Sequence, residues 1–217
     1  MDTVFEDAKT AIAQVRDGDT VMVGGFGPAG LPVRLIDALL DSGRRDLTIV
    51  SNNLGQPGLG LGALLRAGQV RRVIGSFFSG NPEVAAAQRD GHLEVTLLPQ
   101  GTLAEAIRAG GAGIPAFYTP TGAGTVLAKG KETRVFEDGR AYLLERALHA
   151  DVALIHAHQA DRLGNLTYRG AGHNFNTAMA TAARLVLAEV DEVVEVGELP
   201  PAEITTPHLY VDAVVVP

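Results

Sequence analysis

The chain has 217 residues, 46% of them hydrophobic and 20% charged, which is material for one large core or two small ones and excludes a disordered chain. Against 18 basic side chains stand 25 acidic ones, a net charge of -7 with no basic cluster, so neither a nucleic acid nor a membrane surface is an expected partner. The absence of cysteine removes disulfides, thiolate zinc sites and a cysteine nucleophile; with a polar N-terminus and no apolar run near the ~20 residues that span a bilayer, a cytoplasmic protein is expected.

Thr3-Val4-Phe5-Glu6 has the form of a capping box, with Val4, Ala8, Ile12 and Val15 at helical spacing before Gly18. A strand from Thr20 to Val23 runs into Gly24-Gly25-Phe26-Gly27-Pro28-Ala29-Gly30. The helix after it has Pro32 in its first turn, an apolar stripe of Val33, Ile36 and Leu40, and Gly43 as its stop. Leu47 to Val50 is a second buried strand, ending in Ser51-Asn52-Asn53. A short helix around Ala63 to Ala67, a strand from Val70 to Ser76 and a helix from Glu83 to Arg89 follow. A strand from Leu93 to Leu98 stops at Pro99-Gln100-Gly101-Thr102, where Thr102 is placed to cap a helix from Leu103 to Ala109.

The Gly-, Pro- and Thr-rich stretch 110–124 is too apolar for a free linker and reads as an ordered loop. Glu137-Asp138-Gly139, between apolar runs at 133–136 and 140–144, signals a hairpin. Asp151 to His156 is a strand, Thr177 to Ala183 a helix, Arg184 to Val190 a strand and Leu209 to Val216 a last strand. Strands alternating with short helices predict an α/β fold: a mainly parallel open sheet flanked by helices, with a small antiparallel hairpin. No internal repeat or composition break stands out, so one domain is expected over 1–217.

The strand–glycine loop–helix unit organises the chain, because it points backbone N–H groups at whatever lies above the sheet: a phosphate, a carboxylate or a developing oxyanion. Gly25-Phe26-Gly27-Pro28-Ala29-Gly30 satisfies G-x-G-x-x-G, yet two features argue against a dinucleotide. Pro28 removes a backbone donor, and the second strand ends in Ser51-Asn52-Asn53 rather than an acid, with Asp46 lying before it. His156 and His158 fall on one face of a strand, as a metal pair would, but no Asp, Glu or His of ligand spacing accompanies them, and no metal site is expected. Ser76 and Ser79 lack a G-x-S-x-G elbow.

Asp-Gly-x-x-(three apolar)-Gly-Gly-Phe-x-x-x-Gly-x-Pro is matched from Asp17 to Pro32. With Ser51-Asn52-Asn53, Pro99-Gln100-Gly101-Thr102-Leu103, Gly110-Gly111-Ala112-Gly113, Pro115 to Gly122, Asp161 to Tyr168, Asn174-Phe175-Asn176, Gly197-Glu198-Leu199-Pro200 and Thr205-Thr206-Pro207, it resembles the A (alpha) subunit of the family I 3-oxoacid CoA-transferases over nearly the whole chain. Two departures share one loop: His173 stands where Arg is usual, and Thr177 where Pro is usual.

The resemblance implies a CoA-transferase-like fold and covalent catalysis by a glutamate carboxylate on a partner, the B subunit, within Ser-Glu-Asn-Gly. That tetrapeptide is absent here, so half an active site in a hetero-oligomer, A2B2 or AB, is expected. The substrates implied are a CoA thioester such as succinyl- or acetyl-CoA and a 3-oxo acid such as acetoacetate, with 3-oxoadipate as the close rival and no permanently bound cofactor. Gln100 is the catalytic candidate, placed in the active site by the resemblance and supplying an amide donor to an oxyanion. Gly24, Gly25, Phe26, Gly27, Pro28, Ala29 and Gly30 are expected to line the CoA thioester, and Asn52 and Asn53 to hydrogen-bond the acyl carboxylate or their own loop. A ligand-sensing α/β module that kept the fold is the alternative of another class.

Overall fold

The structure, a computed structural model, describes residues 4–216. The large sheet has strands β1 (Val4–Glu6), β2 (Thr20–Val23), β3 (Leu47–Val50), β4 (Val70–Gly75), β5 (Glu94–Leu97), β9 (Ala150–Asp161), β10 (Leu166–Thr167), β11 (Ala183–Val194) and β12 (Ala213–Val215). Its order is β1-β12-β11-β9-β2-β3-β4-β5, every pair on that path is parallel, and β10 pairs β9 antiparallel. The central strands β2 and β3 are buried on both faces, which is why they read as unbroken β-branched and apolar runs, whereas β5 at the sheet edge is exposed or half-buried along its length.

Side chains alternate between two cores. Val21, Val23, Ile49, Val73 and Leu154 face helices α1 (Ala8–Ile12), α2 (Val33–Asp41), α3 (Leu61–Arg66) and α4 (Pro82–Arg89). Met22, Val50, Ile74 and Ile155 face α5 (Gln100–Gly111) and α6 (Asn176–Ala182). The remaining strands, β6 (Ala116–Thr119), β7 (Thr133–Val135) and β8 (Ala141–Arg146), form a separate antiparallel sheet in the order β6-β8-β7. The hairpin expected around Gly139 is its β7–β8 pair; the expected loop at 110–124 supplies its third strand, β6, and there Tyr118 and Tyr142 pack edge-on against Phe136.

Several expected boundaries move. Of the expected capping box, Thr3 lies outside the described residues; Val4–Glu6 is a strand paired with β12, and α1 is capped by Asp7, whose Oδ1 accepts from the N–H groups of Lys9 and Thr10. Thr102 caps nothing. The helix already begins at Gln100, and the buried Thr102 hydroxyl is left without a partner. The stretch 209–216 is a single 3-10 turn at His208–Tyr210 followed by the short β12.

One feature of the topology positions the site. From β2 the chain moves outward through β3, β4 and β5, then returns to lay β9 on the other side of β2. The strand order reverses at β2, and ligands of open parallel sheets bind outside the C-terminal ends of the strands at that point.

Candidate active site

The C-terminal ends of β2, β3, β4 and β5 open onto one cleft of about 1030 Å³. Phe26, Gly27 and Pro28 enter it from the loop after β2, Asn52 and Asn53 from the end of β3, Ser76 and Phe77 from the end of β4, and Gln100 from the start of α5. Five of the expected loop and amide residues other than Gln100 therefore meet Gln100 in one place. Gly24 and Gly25 do not line this cleft, and Ala29 and Gly30 face a smaller pocket of about 190 Å³ on the β9 side.

The loop is less open to ligands than a bare glycine run suggests. Gly24 N–H donates to Leu154 O across the sheet, and Gly25 N–H to Asn174 Oδ1. Phe26 and Ala29 exchange backbone hydrogen bonds, closing a turn with Gly27 and Pro28 at its tip. Pro28 has no N–H, so Gly27 is the tip residue with a backbone donor to offer, and a side chain added there would meet open space.

The amide side chains divide by what already holds them. Asn52 is buried, and its Oδ1 accepts from Ser76 Oγ at 2.7 Å, while its carbonyl accepts from the N–H groups of Ser76 and Phe77. That pairing ties the end of β3 to the end of β4. Asn53 Oδ1 accepts from Gly55 N–H in a local turn. Gln100 is exposed in the first turn of α5, and no hydrogen bond engages its carboxamide among the described residues. Among the described residues the cleft wall carries no glutamate and no Lys, Arg or His, and its one charged side chain is Asp37, exposed on α2.

Two of the buried acids work elsewhere. Glu189 on β11 accepts from the N–H groups of Arg34 and Leu35, capping α2, whose own N-cap residue is Pro32 and lends no side chain. Burial pushes its carboxyl above the ordinary range; those two N–H groups and the charges of His156 and Arg34 pull the other way. Glu145 on β8 pairs with Lys131 at 2.6 Å. His156 and His158 do share a face, and both reach Asp191 at 3.0 Å, bridging β9 to β11 beside the smaller pocket.

Sequence reasoning missed the opposite wall. Gly55-Gln56-Pro57-Gly58-Leu59-Gly60-Leu61 follows β3 as Gly25-Phe26-Gly27-Pro28-Ala29-Gly30-Leu31 follows β2, and Gln56 bridges Leu59 as Phe26 bridges Ala29. Gln56 and Leu59 line the cleft facing the first loop's residues. The matching Gly-(four residues)-Gly-Leu at an offset of thirty residues was the available signal, and it is a local repeat where none was expected. Phe26, Leu59 and Phe77 are 47%, 64% and 56% exposed around the opening, a large apolar rim for a protein surface.

This chain belongs to the coenzyme A transferase family, whose model matches residues 5–217. It is 54% identical over 213 residues to the A subunit of the 3-oxoadipate CoA-transferase of Pseudomonas putida, covering 97% of this chain and 92% of that one. It is 53% identical over 212 residues to the A subunit of the succinyl-CoA:3-ketoacid coenzyme A transferase of Xanthomonas campestris pv. campestris strain B100, covering 97% and 87%. The apoenzyme of an acyl-CoA transferase from Escherichia coli O157:H7 shares the fold, with a TM-score of 0.90 at 23% identity; the match takes in all of this chain and 47% of that one. Among the described residues no helix is long and apolar enough to cross a membrane.

Proposed function

We propose that this chain is the A subunit of a heteromeric CoA-transferase that moves CoA from an acyl-CoA, such as succinyl- or acetyl-CoA, to a 3-oxo acid such as acetoacetate. One observation carries the reading: the cleft at the strand ends offers amide and backbone donors among apolar walls, and no glutamate. The nucleophile then comes from a B subunit that covers the apolar rim. Its carboxylate attacks the thioester carbonyl and releases CoA thiolate, leaving a mixed anhydride. The thiolate attacks the glutamyl carbonyl of that anhydride, forms the enzyme thioester and releases the donor's carboxylate. The acceptor carboxylate reverses these two steps.

Each step passes through a tetrahedral oxyanion, and fixed donors lower such barriers most where no water competes. Gln100 supplies a carboxamide N–H₂ held by nothing else. The Asn52 amide nitrogen and the Gly27 N–H are the neighbouring donors. With no Lys, Arg or His on its wall, the cleft suits the thioester and pantetheine end of CoA, and the phosphates find their cations elsewhere.

Expression alone and with a B subunit carrying Ser-Glu-Asn-Gly, followed by a panel of acyl-CoA donors and 3-oxo acids, tests the proposal. Transfer only in the co-expressed complex supports it, and full activity from this chain alone overturns it. The Pseudomonas relative favours 3-oxoadipate as a second acceptor to include, and the panel decides between the two.

A further inference from the structure

Asn174 and Asn176 stand outside the cleft, yet between them they hold the glycine loop from behind. Asn174 Oδ1 accepts from Gly25 N–H at 3.0 Å and from Phe175 N–H at 2.7 Å; its Nδ2 donates to Ala29 O at 3.2 Å and to Ala171 O at 2.7 Å. Asn176 is 0% exposed. Its Oδ1 accepts from His156 N–H at 3.0 Å, and its Nδ2 donates to Gly30 O at 3.0 Å and Gly172 O at 2.9 Å. Every amide hydrogen and both amide oxygens are engaged, which is close to the full capacity of two asparagines.

These contacts grip the loop at both ends, Gly25 on the way in and Ala29 and Gly30 on the way out, and leave the tip free. They also explain two of the glycines. A methyl group on Gly24 would overlap the Asn176 side chain, and one on Gly30 would lie 2.8 Å from Asn176 Nδ2 and 2.9 Å from Asn174 Nδ2. Gly24 and Gly30 are small because the two amides occupy the space behind the loop. Through His156 N–H the grip is anchored to β9, the strand laid beside β2 at the reversal of strand order.

The geometry points to Asn174 and Asn176 as positioning residues: they set the tip of the Gly25–Gly30 loop at the height above β2 that transfer requires. This rests on the CoA-transfer function proposed above. Asn174 is the better handle, because it is partly exposed and its loss leaves the core untouched. Neither residue lines the cleft, so neither acts on substrate directly.

The test uses the full chain assembled with its B subunit, in wild-type form and with Asn174→Ala, Asn174→Asp and Asn176→Ala. Amide hydrogen exchange at Gly25 is followed beside steady-state kinetics. The expected result for Asn174→Ala is faster Gly25 exchange, kcat lower by about 10- to 100-fold, and a KM for the acceptor within about threefold of wild type. Asn174→Asp keeps the acceptor for Gly25 N–H but sets a negative oxygen against Ala29 O; Gly25 stays protected while kcat still falls. A folded, assembled Asn174→Ala or Asn174→Asp with wild-type kcat overturns the inference, as does a loss of activity that only tracks the loss of folded complex. Should Asn176→Ala not fold, the two Asn174 variants decide alone. If the wild-type complex transfers no CoA, the functional proposal fails, and unchanged Gly25 exchange in Asn174→Ala is then what would overturn the grip itself.

Discussion

At the scale of single residues, Gln100 is distinguished by what it lacks. Asn52, Asn53 and Asn81 all spend side-chain atoms on their own surroundings, whereas the Gln100 carboxamide is unengaged in the cleft. Gln100→Ala in the assembled enzyme should lower kcat by about 100-fold, the scale of one lost oxyanion donor, with an unchanged melting temperature. An unaltered kcat would remove Gln100 from the chemistry. Glu189 makes the opposite kind of prediction. Its folded carboxyl titrates above the ordinary value of 4.5, chiefly because burial disfavours the charge. The native chain therefore binds that proton more tightly than the unfolded chain. This contribution to stability is fully present below pH 4.5 and is lost as pH rises through the folded pKa. Glu189→Gln keeps an acceptor for Arg34 and Leu35 without the charge, and should flatten the stability–pH profile on the acid side of neutrality. Glu189→Ala should cost about 1–3 kcal/mol below pH 4.5, because two helix N–H groups lose their acceptor, and less as pH rises through the folded pKa. Denaturant unfolding across that pH range separates the two, and identical pH slopes for wild type and Glu189→Gln would contradict the assignment. The role of Glu189 was not legible beforehand: it sits in the acidic run Glu189 to Glu195, which looks like a solvated face, and its partners are 154 and 155 residues away.

At the scale of elements, the strands β2 and β3 were legible to the residue, because a strand buried on both faces leaves an unbroken β-branched and apolar signature. The ends of elements were not. β1 is three residues long and is a strand only because β12, from the other end of the chain, supplies its partner. β9 and β11 run to 12 residues each, well past the apolar stretches, because they pair with each other through polar positions such as Gln159 with Glu192. The position of α5, and so of Gln100, depends on a close crossing with its surroundings. A Cβ on Gly111 would overlap the Thr181 hydroxyl of α6, and one on Gly110 would overlap Leu148 O. Gly111→Ala should lower stability by about 1–3 kcal/mol, read as a fall in the urea midpoint with m unchanged. A variant as stable as wild type would show that α5 shifts freely.

At the scale of the whole molecule, the function proposed above makes the cleft one wall of a site. Its apolar rim of Phe26, Leu59 and Phe77 is the surface a partner chain would cover, and central aromatic anchors carry much of the energy of such contacts. Phe77→Asp should leave the isolated chain folded and weaken, by about 10-fold or more, its assembly with the B subunit, measured by analytical ultracentrifugation or titration calorimetry. Undiminished affinity would place the interface elsewhere. The sequence by itself determined the α/β class, the glycine loop after β2, the amides Asn52 and Gln100 just past strand ends, and the lack of a Ser-Glu-Asn-Gly tetrapeptide, because each is a local pattern or a simple absence. Only the tertiary structure decided what the glycines are for. Gly24 and Gly30 make room for two asparagines about 145 residues further along, and Gly25 spends its N–H on one of them. The likeness between the two loops after β2 and β3 is written in the sequence, but its meaning is not. It takes a parallel sheet, with consecutive strands side by side, to bring Phe26 and Leu59 to one cleft.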